Sequence, residues 1–385
     1  MRILQVTTTY FPELKFGGPP QKIHALSCGL KARDYEVSVL TFCSERARGH
    51  GTETIDGIQV EYLPWIGNGM RQIPIDLRAL AAAVRRAEVI HCYGLYNLLC
   101  PIVAVLAVLY RRPYLIEPLG MYIPRTGNVR AKLIYHRLFT GWMMKYAARI
   151  IATSEAESNE LSPYADKRKI VIRRNGIEPS HFEKLPDGSL FRAKHDIGDQ
   201  QRLILFLGRI SPIKNLEQLI TAFKIADLQN ARMVLAGPML EQEYAHRLQA
   251  HIAELQLTQY VSVLGPLYGE EKLAAFAAAN LFVLPSLNES FGIAAAEAVA
   301  AGIPVLLTDT CGTAPLIHGR AGLAVPVGAQ DLALGLRVML DDVEYCREMT
   351  RQRAEVLKEL TWEVPLEKTV EMYAVISEER DRVGA

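Results

Sequence analysis

The stretch Leu281-Phe282-Val283-Leu284-Pro285-Ser286-Leu287-Asn288-Glu289-Ser290-Phe291-Gly292-Ile293-Ala294-Ala295-Ala296-Glu297 decides the fold class. Its first four residues form an unbroken apolar run with no polar face, which is how a buried parallel strand reads. Beyond a turn, an apolar, alanine-rich segment predicts a helix over about 290–301, since Gly302 can supply a left-handed cap and Pro304 prevents continuation. Val305-Leu306-Leu307-Thr308-Asp309 then reads as the next strand. The acidic loop of this strand–loop–helix–strand unit falls at a strand's carboxyl end, where open α/β sheets bind their ligands.

Glu289 and Glu297 stand eight positions apart, roughly 12 Å along a helix that rises about 1.5 Å per residue. A diphosphate fits between them, with one carboxylate on sugar hydroxyls, the other on ribose hydroxyls, and the free N–H groups of the helix start facing the ligand's oxygens. The spacing alone fits a surface capping Glu followed by an unrelated Glu equally well.

Working outward, apolar runs alternate with helical patterns along the whole chain, the signature of parallel sheets built from βαβ units. In the first half the runs are 3–6, 36–41, 60–63, 89–91, 114–117, 150–153 and 170–172; in the second they are 203–207, 233–236, 261–264, 281–284, 305–307 and 324–325. With 385 residues, two doubly wound α/β domains of about 180 residues each are expected. We place them at 1–180 and 190–362, joined through a Pro- and Gly-containing polar linker over 178–201. Val364, Leu366, Val370, Tyr373 and Ile376 recur at helical spacing, so a tail helix over about 363–385 is expected, packing back on the first domain by analogy with two-domain folds.

Six scattered cysteines (Cys28, Cys43, Cys92, Cys100, Cys311, Cys346) form no close metal-ligand pairs and read as reduced thiols of a cytoplasmic protein. The chain opens directly on a strand pattern, without an export segment. The longest apolar stretch, 98–110, is too short to span a bilayer and reads as a buried helix. Residues 1–180 carry 24 Lys and Arg against 15 Asp and Glu, a net +9, whereas residues 181–385 carry 19 against 27, a net −8. A basic first half suits a phosphate-bearing acceptor or an acidic membrane surface; a compositional fluctuation between two solvated surfaces is the alternative.

Leu203-Ile204-Leu205-Phe206-Leu207-Gly208-Arg209-Ile210-Ser211-Pro212-Ile213-Lys214-Asn215 is a strand followed by a loop with two cations five residues apart. Arg209 offers a planar fork of donors and Lys214 a compact charge, a pairing suited to two phosphates of a nucleotide. Two unrelated surface cations explain the spacing alone.

The combination is more specific. Gly208-Arg209 with Lys214-Asn215, followed by the Glu289–Glu297 pair, strongly resembles the retaining glycosyltransferases of family 4, and the likeness covers nearly the whole chain. Phe11-Pro12, Gly17-Gly18, Ala152-Thr153-Ser154-Glu155, Arg174-Asn175-Gly176, Leu235-Ala236-Gly237-Pro238 and Val263-Leu264-Gly265-Pro266-Leu267 are also similar to that family. The resemblance implies a GT-B fold, two facing Rossmann-like domains with a cleft between them. It also implies a UDP-, GDP- or ADP-sugar as donor substrate, with no cofactor and no metal. Arg209 and Lys214 are implied to neutralise the departing diphosphate, and Glu289 to bind the donor sugar with the N–H groups of Phe291, Gly292 and Ile293. Glu297 is implied to hold the ribose, and the loop carrying Leu267 to border the base. Gly208, Gly237, Gly17 and Gly18 complete the expected donor set. Read from the residues, Gly17-Gly18-Pro19-Pro20 is a loop that a phosphate can approach closely, or a plain strand-to-helix turn.

For the acceptor, a saccharide or lipid-linked saccharide of polysaccharide or glycolipid assembly, the candidates are Lys22, His24 and Glu117. Many relatives carry a His where this chain has Leu119, which can neither donate a hydrogen bond nor move a proton. Either that His is dispensable here, or Glu117, His91 or the donor phosphate itself serves the acceptor hydroxyl, or turnover is weak. The family's front-face mechanism, in which the leaving phosphate helps take the proton, makes a missing base tolerable, and no side-chain base is assigned. Residues 131–146 interleave basic and aromatic residues at helical spacing, which fits a helix lying on an anionic bilayer at the inner face of the membrane or a buried helix with a cationic rim. A nucleotide-sugar epimerase, a phosphorylase-like enzyme and a catalytically silent sugar-nucleotide-binding partner remain as rival readings. No Gly-x-Gly-x-x-Gly follows any expected strand, which disfavours an oxidoreductase, and no nucleic acid is expected as a partner.

Overall fold

Val89–Tyr93 is buried at every position, and strands of that kind form where helices cover both faces of a parallel sheet. The computed structural model describes residues 1–13, 18–43, 51–67, 69–124 and 128–384. It has two units, Met1–Asn175 with Trp362–Ala385, and Gly176–Thr361.

In the first unit the elements run β1 (Arg2–Val6), α1 (Pro19–Lys31), β2 (Glu36–Phe42), β3 (Gly51–Ile55), β4 (Ile58–Leu63), β5 (Trp65–Ile66), β6 (Ile73–Pro74), α2 (Leu77–Arg86), β7 (Val89–Tyr93), α3 (Leu99–Leu109) and β8 (Tyr114–Glu117). They continue as α4 (Val129–Tyr135), a π turn (His136–Thr140), α5 (Gly141–Tyr146), β9 (Arg149–Ala152), α6 (Glu155–Leu161) and β10 (Ile170–Ile172). The main sheet has the order β10-β9-β8-β7-β1-β2-β4-β3, parallel except for the β3–β4 hairpin. That hairpin closes on Asp56 and Gly57, both with positive φ, the backbone a two-residue turn demands. Leu26 and Leu30 of α1 pack on one sheet face with Tyr373 and Ile376; Leu80, Val103 and Met143 of α2, α3 and α5 pack on the other. α3 packs one side on the sheet, as expected of a helix in an α/β layer, and exposes Val105, Val108 and Leu109 on the other.

The second unit runs α7 (Gly188–Lys194), β11 (Arg202–Leu207), α8 (Leu216–Ala226), β12 (Ala231–Ala236), α9 (Gln242–Glu254), β13 (Val261–Leu264), α10 (Gly269–Ala278), β14 (Leu281–Leu284) and α11 (Ile293–Ala300). It ends in β15 (Val305–Thr308), α12 (Ala314–Ile317), β16 (Gly322–Val325), α13 (Ala329–Asp341), α14 (Val343–Met349) and α15 (Arg353–Glu359). Its sheet is wholly parallel in the order β13-β12-β11-β14-β15-β16. The 178–201 segment is not a free linker. Phe182, Phe191 and Ile197 are buried in this unit's core, so the boundary falls at Asn175/Gly176. The final helix, α16 (Glu363–Gly384), belongs to the first unit. Leu366 there comes so close to α1 that a Cβ on Gly29 would lie 2.4 Å from its Cδ1. Among the described residues, no helix is long and apolar enough to cross a membrane.

Each sheet reverses its winding once. In the first the reversal lies between β1 and β7, in the second between β11 and β14, and the loops at the carboxyl ends of such a strand pair form the crevice that ligands enter.

Close strand packing sets a stability test. A Cβ on Gly322 of β16 would lie 2.0 Å from the Val305 carbonyl oxygen, an overlap that only backbone movement relieves. We expect Gly322→Ala to cost about 2 kcal/mol or more, a fall of at least about 4 °C in a thermal melt; an unchanged midpoint contradicts this packing.

Candidate active site

The loop after β11 begins at Gly208, which is held tightly to the end of β12. A Cβ on Gly237 would lie 1.8 Å from the Gly208 carbonyl oxygen, so only glycine lets the two strand ends meet. Arg209 follows and is exposed. A single helical turn, Pro212–Lys214, leads to Asn215, whose left-handed backbone (φ 59°) redirects the chain into α8. The N–H of Leu287 donates to the Ile213 carbonyl at 2.9 Å, which ties this loop to the one after β14. Across that stitch Lys214 Nζ pairs with Glu289 Oε2, their side chains only 15% and 19% exposed.

Glu289 lies in the loop, outside the helix. Gly312 N–H donates to the Glu289 carbonyl at 2.8 Å, and Thr313 N–H to that of Phe291 at 3.0 Å. Gly292, with φ 96°, then starts α11 at Ile293. The helix expected from about Ser290 therefore begins three residues later, because the loop after β15 holds residues 289–291 in extended pairing. The helical spacing of the two glutamates is accordingly not their true relation. Glu297 sits inside α11, 6% exposed, and its Oε1 accepts from Lys272 Nζ of α10 at 2.6 Å. Lys272 carries no motif of its own, and sequence reasoning did not find it.

Buried side-chain atoms without a partner also gather on these loops: Ser211 Oγ, Asn215 Nδ2, Ser286 Oγ and Thr313 Oγ1. Native interiors rarely leave such groups unpaired. Ser211 and Asn215 flank Lys214, Ser286 closes β14, and Thr313 Oγ1 lies 3.2 Å from where a Cβ on Gly292 would stand. The site is thus built as two lysine–glutamate pairs, an exposed arginine, a helix start with unsatisfied N–H groups and several idle polar atoms. Behind it, burial and the nearby Glu289 charge push the Cys311 thiol up to about 12, so it stays protonated. Leu267 packs partly buried on the same unit's core beside exposed Tyr268. Among the described residues no group of three or more His, Cys, Asp or Glu is placed to hold a metal ion.

In the first unit Gly18 precedes α1, and its carbonyl accepts from Lys22 N–H at 3.0 Å; Gly17 lies outside the described residues. Lys22 and Glu117 are a correction. Both are buried and paired with each other, and Glu117 also pairs with Arg173, so neither offers an exposed atom to an acceptor. His24 stacks on Phe11 at 4.4 Å and meets Asp56 Oδ2 at 2.9 Å. Leu119 adopts φ 59°, an uncommon backbone for a branched residue. The adjoining Gly120 N–H donates to Glu157 Oε1 at 2.6 Å.

Burial opposes charge on Glu117, but Arg173 and Lys22 beside it overcome that and hold its carboxyl well below the ordinary range. Burial lowers Lys22 to about 8, against the pull of Glu117. His91, whose Nδ1 meets Tyr373 Oη at 2.7 Å, is lowered by burial to about 4. Its Nε2 lies 3.4 Å from Glu117 Oε2, a contact that becomes an ion pair only when the ring is protonated. Unfolded, His91 takes its proton near 6.5; folded, near 4. Acid between those values therefore favours the unfolded chain, so this contribution is complete above pH 6.5 and is lost as the pH falls toward 4. Thermal melts across that window should fall more steeply for the parent than for His91→Gln; parallel curves contradict the assignment.

Known proteins resemble this chain over most of its length. Residues 188–356 match the family model described as glycosyl transferases group 1, and residues 17–176 match a glycosyl transferase 4-like domain. The chain is 27% identical over 400 residues to an uncharacterised glycosyltransferase of Methanocaldococcus jannaschii, covering 98% of this chain and 99% of that protein. It is 26% identical over 406 residues to a D-inositol 3-phosphate glycosyltransferase of Kineococcus radiotolerans, covering 93% and 90%. Among solved structures, the sucrose-phosphate synthase of Thermosynechococcus elongatus is similar with a TM-score of 0.77 at 20% identity, over 97% of this chain and 98% of that one. Anabaena HepE in complex with UDP and glucose is similar with a TM-score of 0.77 at 20% identity, over 97% and 100%. At such identities the likeness of the structures is one of fold.

Proposed function

The chain belongs to the family 4 type of glycosyltransferases with the GT-B fold, and on that premise we propose that it moves a hexosyl group from a nucleoside diphosphate sugar to an acceptor hydroxyl with retention at the anomeric carbon. The observation that carries this reading is the contact of Lys214 with Glu289 at the winding reversal of the second sheet, among buried polar atoms that lack partners.

Lys214 and Arg209 take up the charge that builds on the diphosphate as the bond to the anomeric carbon breaks, the kind of preorganised electrostatic term that dominates many enzyme rates. Glu289 receives donor-sugar hydroxyls, with the N–H groups of Phe291, Gly292 and Ile293 alongside. Glu297 takes the ribose diol, and Leu267 borders the base. The acceptor oxygen bonds to the anomeric carbon on the face the diphosphate leaves, and its proton passes to a diphosphate oxygen. That route needs no side-chain base, which suits Leu119 at a position where no proton can be handled.

The acceptor is a saccharide bearing phosphate or a lipid-linked phosphate, met at the net-positive first unit. A relative named for D-inositol 3-phosphate supports that class. The free thiols fit a cytoplasmic enzyme, working peripherally at the inner membrane face on polysaccharide or glycolipid precursors.

A melting-temperature screen against uridine, guanosine and adenosine diphosphate sugars tests the reading, because a ligand that binds only the native state raises its midpoint. We expect one base to shift it clearly. With that donor, Lys214→Ala and Glu289→Ala should each lower kcat/KM about a hundredfold or more, with a cooperative melt showing that the fold is retained. No shift with any donor, or full activity in either variant, overturns the assignment.

A further inference from the structure

The helical layer formed by α2, α3, α4 and α5 contains no acidic residue. α2 reads Leu-Arg-Ala-Leu-Ala-Ala-Ala-Val-Arg-Arg, α3 is wholly uncharged, and from Pro118 to Ser154 there is no Asp or Glu against six Lys and Arg. Across 89–154 the only acid is Glu117, which is fully buried. α2 packs on α3, and α3 on α5, so the three form one continuous layer over a common core.

The outward side of that layer is unusual for a surface in water. Leu133, Ile134 and Leu138 are 54%, 59% and 57% exposed, and Val129 is exposed beside them. Arg130, Arg137 and Lys145 are the cations exposed along the same helix. The π turn keeps the two sides apart: the buried positions step five residues from Tyr135 to Thr140 across it, then resume at Met143 and Met144. The exposed positions 130, 134, 137, 141 and 145 meanwhile step by three or four, which is one stripe of a helix. Trp142 and exposed Tyr146, residues that favour an interface between water and hydrocarbon, lie at its end. Adjacent α3 adds exposed Val105, Val108 and Leu109, followed by exposed Arg111.

We propose that the outward face of α4, the π turn and α5, extended by α3, is the surface through which this protein lies on an anionic lipid bilayer. Leucine and isoleucine gain from entering the acyl boundary, and Arg and Lys from the lipid phosphates beside them. The charge pattern selects that occupant. A second copy would bring like charges together, and a nucleic acid would gain nothing from the aliphatic side chains between the cations. The inference deepens the peripheral, lipid-linked part of the proposed function, but it does not depend on the donor site.

Co-sedimentation of the full chain with vesicles of equal parts phosphatidylglycerol and phosphatidylcholine tests it, with pure phosphatidylcholine as reference. Binding is expected to the first, weakening with salt, and to be far poorer to the second. At roughly fivefold per cation, Arg130→Ser with Arg137→Ser should weaken binding about twentyfold or more, and Leu138→Asp should weaken it several-fold. Both variants should keep the parent's melting temperature and its response to nucleotide. Equal binding by parent and variants, no binding by the parent, or a Leu138→Asp effect confined to oligomeric state in ultracentrifugation would overturn it. A parent that binds vesicles but no nucleotide would count against the donor site and leave this surface standing.

Discussion

Lys214 and Glu289 face one another because two loops are sewn together at the point where the second sheet reverses its winding. Neither charge is far from solvent, yet each is mostly covered, so each relies on the other while no ligand is present. Around them the fold leaves polar atoms buried without partners, a state that water-soluble cores normally avoid. The same pattern repeats at Glu297, whose carboxylate is held by Lys272. Both carboxylates are thus held by a lysine, which fixes the positions of their side chains.

The first unit uses charge differently. Lys22, Glu117, Arg173 and His91 join the first turn of α1, the middle of β7, the end of β8 and the chain just before the unit boundary. Breaking a buried pair by removing one partner is costly, so this cluster fixes where the loop at Gly18 and the strained turn at Leu119 stand. Its members are sealed from solvent and act by holding these loops in place.

Much of this was legible in the sequence, because parallel strands buried on both faces announce themselves as apolar runs. β8, β10, β13 and β14 fall at the expected residues. β3 was not foreseen: Thr52, Glu53 and Thr54 are exposed on an edge strand, so no burial pattern marks them, and the Asp56-Gly57 turn was the available signal. The 178–201 segment misled through its Pro and Gly content, although Phe182 and Phe191 were apolar anchors within it. At the candidate site, the loop cations and the two glutamates could be read from spacing, but the start of α11 could not. It depends on hydrogen bonds from residues 312 and 313, far along the chain. Lys272 reaches Glu297 from another helix, a relation local pattern cannot carry, and Lys22 and Glu117 gave no hint that they would be sealed against each other.

Calorimetric titration of the nucleoside diphosphate and of its sugar ester into the parent, Lys214→Met and Glu289→Gln most directly tests whether the Lys214–Glu289 pair is where donor binds. If diphosphate displaces the carboxylate from the lysine, Lys214→Met weakens both ligands at least about tenfold, the loss of a charge-assisted contact. Glu289→Gln should then spare or strengthen the bare diphosphate and weaken only the sugar ester. Affinities for both ligands that stay at the parent's value in Lys214→Met would contradict the account.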